Sequence, residues 1–230
     1  MTNPAGAPVN RRPLFDVLFG ASVLAVIGAV VRVVYFTPFE ATQGPAQKIY
    51  YLHVPAALSA YLALIVAALG SLAYLWLKDE RADRMAESGG EVALLFTTVV
   101  LITGPLWGKP IWGAWWTWDA RITLTLFLWF VTLSYLVLRG AIDEPGMRAR
   151  YSAVLAVLAA LLIPFIHLSV YLFRTLHPMP IVLKPDKPSL PPEMLTTFTI
   201  SVFAFLFFCS MLIRARYRLS TARASGGADA

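Results

Sequence analysis

The chain has 230 residues, 58% of them hydrophobic and 14% charged, with mean hydropathy +0.67 and a formal net charge of +6. A soluble domain carries nearer about 45–50% apolar and about 25% charged residues, so a water-soluble globule is excluded: this much apolar surface has no core to hide in. The positive balance does not require nucleic acid as a partner, because a membrane protein gathers its basic residues in the loops of one side.

Residues 1–13 are polar and carry Pro4, Pro8 and Pro13, and they read as a tail. The apolar run 14–36 predicts a first span, since a membrane helix needs about 20 apolar residues. Asp16 and Arg32 stand near its ends, where each can reach toward headgroups. The run is too long for the apolar part of a cleavable signal peptide, and none is expected. Residues 37–51 contain Pro38, Gly44 and Pro45 and predict a loop. The second span is predicted over 52–77, with Pro55 in its first turn, where proline is tolerated, and His53 at the membrane edge. A short charged stretch, 78–90, precedes a third span over 92–107 that Gly104 and Pro105 break near its end. The fourth span covers 122–138, and Asp119 is placed to cap its first turn. Residues 139–150 are basic and turn-rich, and a fifth span over 152–173 contains Pro164 and His167. Residues 174–193 hold six prolines and predict an extended loop. The sixth span covers 194–213, and 214–230 form a basic, then small and polar, tail. The fold class that follows is all-α: a polytopic membrane protein built as a bundle of six transmembrane helices.

Six spans place both termini on one side. On that side fall Arg11, Arg12, Lys78, Arg81, Arg84, Arg139, Arg148, Arg150, Arg214, Arg216, Arg218 and Arg223, which is 12 of the 19 basic residues. The positive-inside rule makes that side cytoplasmic. The loops 37–51, 108–120 and 174–193 then face outward, and this brings His53, His177 and a tryptophan-rich stretch to one face.

That stretch, 107–121, holds five of the seven tryptophans: Trp107, Trp112, Trp115, Trp116 and Trp118. Trp112, Trp115 and Trp116 are spaced i, i+3, i+4 and share a face if the segment is helical. The cluster either anchors the chain in an interfacial aromatic belt or forms a platform for a large flat ligand, and the two are compatible. Neutral imidazole is a common ligand for haem iron and for other metals, which makes His53 and His177 candidate metal ligands from distant parts of the chain. His167 lies deep in the fifth span, where a carbonyl or Ser169 could satisfy it. Arg121, Lys48, Lys109 and Arg174 lie on the outer side and could pair with ligand carboxylates. Cys209 is the one cysteine, so no intramolecular disulfide and no CxxCH haem attachment is available. No GxxxxGK[ST] motif occurs, so ATP hydrolysis by the P-loop route is excluded.

The segment WGAWWTWDAR at 112–121 resembles the WWD motif, WGxWWxWDxR, of the haem-handling membrane proteins of cytochrome c maturation, and every fixed position is met. QGPAQKIYYLHVPAA at 43–57 is similar to the loop that brings the first haem-ligand histidine in that family, and TLHP at 175–178 stands where the second is expected. The resemblance covers essentially the whole chain, and its length points to the CcmC branch rather than to the larger CcmF and CcsA proteins. One departure is Ala114, where threonine is frequent. The resemblance implies haem b, carried transiently, at the periplasmic face of the bacterial inner membrane. Its iron would sit between His53 and His177, and its ring against Trp112, Gly113, Trp115, Trp116, Trp118 and Asp119, with Arg121 near a propionate. It also implies delivery to the haem chaperone CcmE, with CcmD and the ABC subunits CcmA and CcmB as partners. The chain would then be a transfer protein rather than a conventional enzyme. The residues alone leave two other readings open, a transmembrane b-type haem electron carrier and a haem permease subunit.

Overall fold

The apolar runs fold as six helices, each long and apolar enough to cross a membrane, and no strand forms among the described residues. The structure is a computed structural model and describes residues 16–182 and 184–226; the tail 1–13 and the first two residues of the predicted first span lie outside them. Backbone N–H and C=O groups in lipid have no water to bond, so each crossing segment closes its own hydrogen bonds as a helix.

Helix α1, Val17–Val31, is capped by Asp16, which accepts from the Phe19 amide at 3.2 Å, and runs into a π turn over Arg32–Phe36. A 3-10 turn over Pro45–Ile49 leads directly into α2, Tyr50–Leu77. Pro55 therefore falls in the second turn of α2 rather than the first, and His53 lies inside the helix rather than at its edge. Helix α3, Glu80–Trp112, is longer at both ends than the span expected over 92–107. Asp79 caps it by accepting from the Arg81 amide, and Glu80 and Asp83 suit the positive end of the helix, so the charged stretch is helical rather than a loop. At the other end the helix passes through Pro105 and Pro110 and stops only at Gly113. Helices α4, Ala120–Ala141, and α5, Pro145–Leu172, follow; Glu144 caps α5 and Pro145 holds its first position. Helix α6, Pro192–Gly226, runs past the expected end at 213.

Helix α2 is the centre of the bundle and packs on α3, α5 and α6, while α4 packs on α5 and α3 and α1 leans on α6. Lipid tails are as apolar as the helices, so close backbone approach and polar pairs must hold the helices together. Small residues make the α2–α3 crossing close. A Cβ on Gly89 would stand 2.8 Å from the Ala63 carbonyl oxygen, and one on Gly70 would stand 2.8 Å from that of Ala82. The buried core around this seam is mainly small or branched, including Ala56, Ala60, Ala63, Leu64, Ala93 and Ile166, with Phe96 and Phe205 as its large members. Cys209 is fully buried there, its Sγ 3.4 Å from the Ser59 carbonyl oxygen.

Ion pairs clamp the end of the bundle that carries the α2–α3 and α4–α5 turns. Arg139 of α4 grips Asp83 of α3 with two bonds of 2.7 and 2.9 Å. Arg216 of α6 pairs with Glu91 of α3. Arg214 and Arg218 hold Asp16 at 2.7 and 3.0 Å, which ties the end of α6 to the start of α1. Burial alone would raise the Asp16 carboxyl, but the hydrogen bonds from Arg214 and Arg218 outweigh it and hold the group at about 2. These pairs are why α6 continues as a helix beyond its apolar run.

Candidate functional site

At the opposite end, α2 to α6, the loops between them and the segment leading into α2 enclose a cavity of about 820 Å³, within the size range of small-molecule sites. His53, Trp107, Trp112, Trp115, Trp116, Arg121, His167 and His177 all line it.

His53 is buried on α2, with its Nδ1 2.9 Å from the Thr103 hydroxyl of α3. That hydroxyl donates to the Val99 carbonyl oxygen at 2.8 Å. Its one hydrogen is thus committed, and it can only accept from His53. The network therefore assigns the proton of neutral His53 to Nδ1 and leaves the lone pair on Nε2. A fixed acceptor on Nδ1 is what holds the ring orientation and tautomer of histidines that ligate metals. Trp107 stands edge-on to the imidazole, with ring centroids 5.8 Å apart, and is itself fixed by Nε1 donating to Gln43 at 3.1 Å.

His177 reaches the same state by another route. Its Nδ1 lies 3.2 Å from the Pro178 carbonyl oxygen, which can only accept, so Nε2 again keeps the lone pair. Its own backbone N–H donates to the Thr175 hydroxyl at 3.0 Å. Burial, and then the positive charge of Arg121, lower the imidazole from its usual 6.5 to about 4, against smaller upward pulls from the Pro178 bond and Asp119. At neutral pH it is therefore an uncharged donor of a lone pair.

The tryptophan segment is not one helix. Trp112 ends α3, and Gly113, left-handed at φ 75, turns the chain and returns its N–H to the Lys109 carbonyl oxygen at 3.0 Å. Trp112, Trp115 and Trp116 consequently do not share a helical face; they reach the cavity because the chain bends around it. Trp112 lies with its ring centroid 6.3 Å from that of His177. Trp116 lines the wall, its buried Nε1 with no acceptor among the described residues. Trp118 is 76% exposed, does not line the cavity, and stands edge-on to Trp116 at 5.7 Å. Asp119 accepts from the Arg121 and Ile122 amides at 3.0 and 3.1 Å and from the Thr117 hydroxyl at 3.2 Å, so it orients the segment and starts α4.

Of the four outer cations weighed from the sequence, only Arg121 lines the cavity. Lys48 donates to the Val34 carbonyl oxygen at 2.7 Å, and Lys109 to that of Gly113 at 2.9 Å. Among the described residues, no carboxylate lies within ion-pair distance of the Arg121 side chain. It is a guanidinium in a mainly apolar wall, near Asp119 and Tyr61 but paired with neither. His167 is not satisfied by Ser169, whose hydroxyl donates to the Ile166 carbonyl oxygen at 2.7 Å; its ring meets Tyr171 and lines the cavity.

The sequence gives little sign of the part played by the proline-rich loop after His177. Pro178, Met179, Ile181, Val182 and Leu190 close one side of the cavity, and several of them pack on Tyr50, Trp107 and Phe198. Their apolar side chains among so many prolines were the available signal: a solvated loop has no reason to carry them.

Two uncharged imidazoles with available Nε2 atoms suit the axial positions of a metal whose other sites are already filled, as in a tetrapyrrole. The flat aromatic walls and the single guanidinium suit its ring and a carboxylate. Among the described residues, no group of three or more His, Cys, Asp or Glu side chains is placed to hold a bare metal ion.

A family model described as "CcmC: Heme exporter protein C" matches residues 2–228. The chain is 34% identical to "Heme exporter protein C" of Haemophilus influenzae over 206 residues, which cover 88% of this chain and 82% of that protein. It is 35% identical to the protein of the same name from Bradyrhizobium diazoefficiens, covering 77% and 68%. The Escherichia coli K12 protein, again of that name, is 34% identical, covering 80% and 74%. With this match over nearly its whole length and six helices of membrane-crossing length, the chain belongs to the CcmC family.

Proposed function

We propose that the protein holds haem in the cavity at the periplasmic face of the bacterial inner membrane, and delivers it to the haem chaperone CcmE during cytochrome c maturation. The observation that carries this reading is the pair of cavity-lining imidazoles, His53 and His177, each with Nδ1 committed and Nε2 available. His53 and His177 would hold the iron of haem b through their Nε2 atoms. Trp112, Trp115 and Trp116 cover the ring, and Arg121 pairs with a propionate through charge-assisted hydrogen bonds. Gly113, Asp119 and Trp118 shape the segment that carries them.

A handoff requires binding firm enough to orient the ring and exposed enough to release it. Trp115 is 58% exposed at the mouth of the cavity, which supports an accessible haem edge there. The two imidazoles lie at one end of the bundle rather than spread across it, which favours transfer over a transmembrane electron carrier. Family membership supports CcmD, CcmA and CcmB as partners and cytoplasmic termini.

Loading of CcmE in membranes tests the proposal. His53→Ala and His177→Ala are expected to abolish covalent chaperone loading, while His167→Ala retains it. Full loading in both axial variants overturns the ligand assignment.

A further inference from the structure

The end of the bundle remote from the histidines holds a second cleft of about 600 Å³, walled by α2 to α6. Six basic side chains line it, Lys78, Arg84, Arg139, Arg148, Arg216 and Arg223, against four acidic ones, Glu80, Asp83, Glu87 and Glu91. Every one of those carboxylates is already held. Arg139 binds Asp83 at 2.7 Å and Glu87 at 3.5 Å, Arg84 lies 3.4 Å from Glu80, and Arg216 pairs with Glu91.

Lys78, Arg148 and Arg223 are left over. Among the described residues, no carboxylate lies within ion-pair distance of any of them. They come from three elements: Lys78 ends α2, Arg148 lies at the start of α5, and Arg223 lies near the end of α6. Arg148 is the most telling of the three, because its Nε is sealed from solvent with no acceptor among the described residues; the Nε atoms of Arg84, Arg139 and Arg216 are sealed too, but those side chains have carboxylate partners. Arg148 thus lacks the carboxylate that Arg84, Arg139 and Arg216 have, and its fork matches a pair of anion oxygens.

The cleft sits where the helices leave their apolar runs, so it meets the headgroup layer and the adjoining water. Basic pockets between transmembrane helices bind phosphate headgroups, and the arginine fork fits phosphate oxygens in pairs. A surplus of two positive charges over the lining residues suits a phosphate better than a neutral or zwitterionic guest. We propose that this cleft is a phosphate-binding site, with Arg148 as the forked donor and Lys78 and Arg223 as flanking charges. The phosphate belongs either to an anionic phospholipid or to a small solute, and the chemistry is common to both.

The test uses full-length protein in neutral detergent and follows ligand-induced thermal stabilisation. The probes are inorganic phosphate, water-soluble dioctanoyl phosphatidylglycerol, and dioctanoylglycerol as the control without a phosphate. Saturable stabilisation by the phosphatidylglycerol, uncompeted by inorganic phosphate, supports the site and assigns it to lipid; saturation by inorganic phosphate alone supports it and assigns it to a solute. In either case Arg148→Gln is expected to weaken binding by about tenfold or more, and Arg150→Gln, which does not line the cleft, leaves it unchanged. Should Arg148→Gln not fold, the exposed Lys78→Gln and Arg223→Gln carry the same readout. The proposal is overturned if neither phosphate probe exceeds dioctanoylglycerol, or if the cleft variants bind as wild type does. Equal losses in Arg148→Gln and Arg150→Gln overturn it as well.

Discussion

Replacing Thr103 with valine removes one oxygen, keeps the shape of the side chain, and tests the proposed role of His53 as an iron ligand. The Thr103 hydroxyl accepts from Nδ1 of His53 at 2.9 Å while its own hydrogen goes to Val99. Valine would leave a buried N–H with no partner, in a ring no longer held in one tautomer. A lost buried hydrogen bond of this kind is worth about 1–3 kcal/mol, and each 1.4 kcal/mol is a factor of ten in affinity, so haem should bind about 5- to 150-fold more weakly. The loss expected for a supporting partner of a metal-bound histidine, about 10- to 100-fold, falls in the same range. The assay is a haem titration of purified apoprotein followed by Soret absorbance. Thr103→Ser retains the acceptor and should stay near wild type. A valine variant within about twofold of wild type would refute the role of the hydroxyl, because the imidazole would then need no fixed tautomer.

Three further outcomes follow from the geometry. Asp119→Ala removes the acceptor for two amides and one hydroxyl at the start of α4, and should lower stability by about 0.5–2 kcal/mol, or about 2–4 °C in Tm per kcal/mol at this chain length; Asp119→Asn should be close to neutral, and an asparagine variant as damaged as alanine would assign the effect to charge instead. The His177 imidazole is depressed from 6.5 to about 4, so the unfolded chain binds the extra proton first as pH falls, and stability is lost between those two values. Haem absorbance should therefore persist to about pH 5 and fall as pH 4 is approached; Arg121→Gln removes a neighbouring positive charge, eases protonation, and should move that fall to higher pH, whereas an unchanged or lower midpoint contradicts the assignment. Gly89→Val would press a side chain against the Ala63 carbonyl and the Ala67 backbone, costing about 1–3 kcal/mol by overpacking and reducing the yield of folded protein in detergent, with a normal yield showing that the α2–α3 crossing can open.

Much of the fold is legible because lipid leaves the chain few options. Long apolar runs between charged turns can only close their hydrogen bonds as helices, and the six runs do so. The length of α3 is not legible from hydropathy. Its first turns are charged, and they are helical because Asp79 caps them and because Asp83 and Glu91 find arginines on α4 and α6. Those partners are far away in sequence, so no local window reveals them.

The candidate site shows the same division. The charge count already gathers His53, His177 and the tryptophans on one face, and both histidines and four of those five tryptophans, Trp107, Trp112, Trp115 and Trp116, line the cavity. The i, i+3, i+4 spacing of Trp112, Trp115 and Trp116 suggests a helical stripe, yet Gly113 ends the helix between them. Glycine there signals the break; the direction taken afterwards depends on Asp119 and on what the loop packs against. The Thr103 hydroxyl leaves no trace in the sequence at all, because it lies fifty positions from His53 and looks like any other threonine in a span.

The most direct measurement is the absorbance spectrum of the protein purified from membranes, wild type beside His53→Ala and His177→Ala. Axial ligation by both residues predicts a bis-imidazole haem spectrum in the wild type. Each variant would lose it, and added imidazole would restore it by filling the vacated position. A spectrum that survives unchanged in both variants would contradict the central claim and place the iron, if it is bound here, on other ligands.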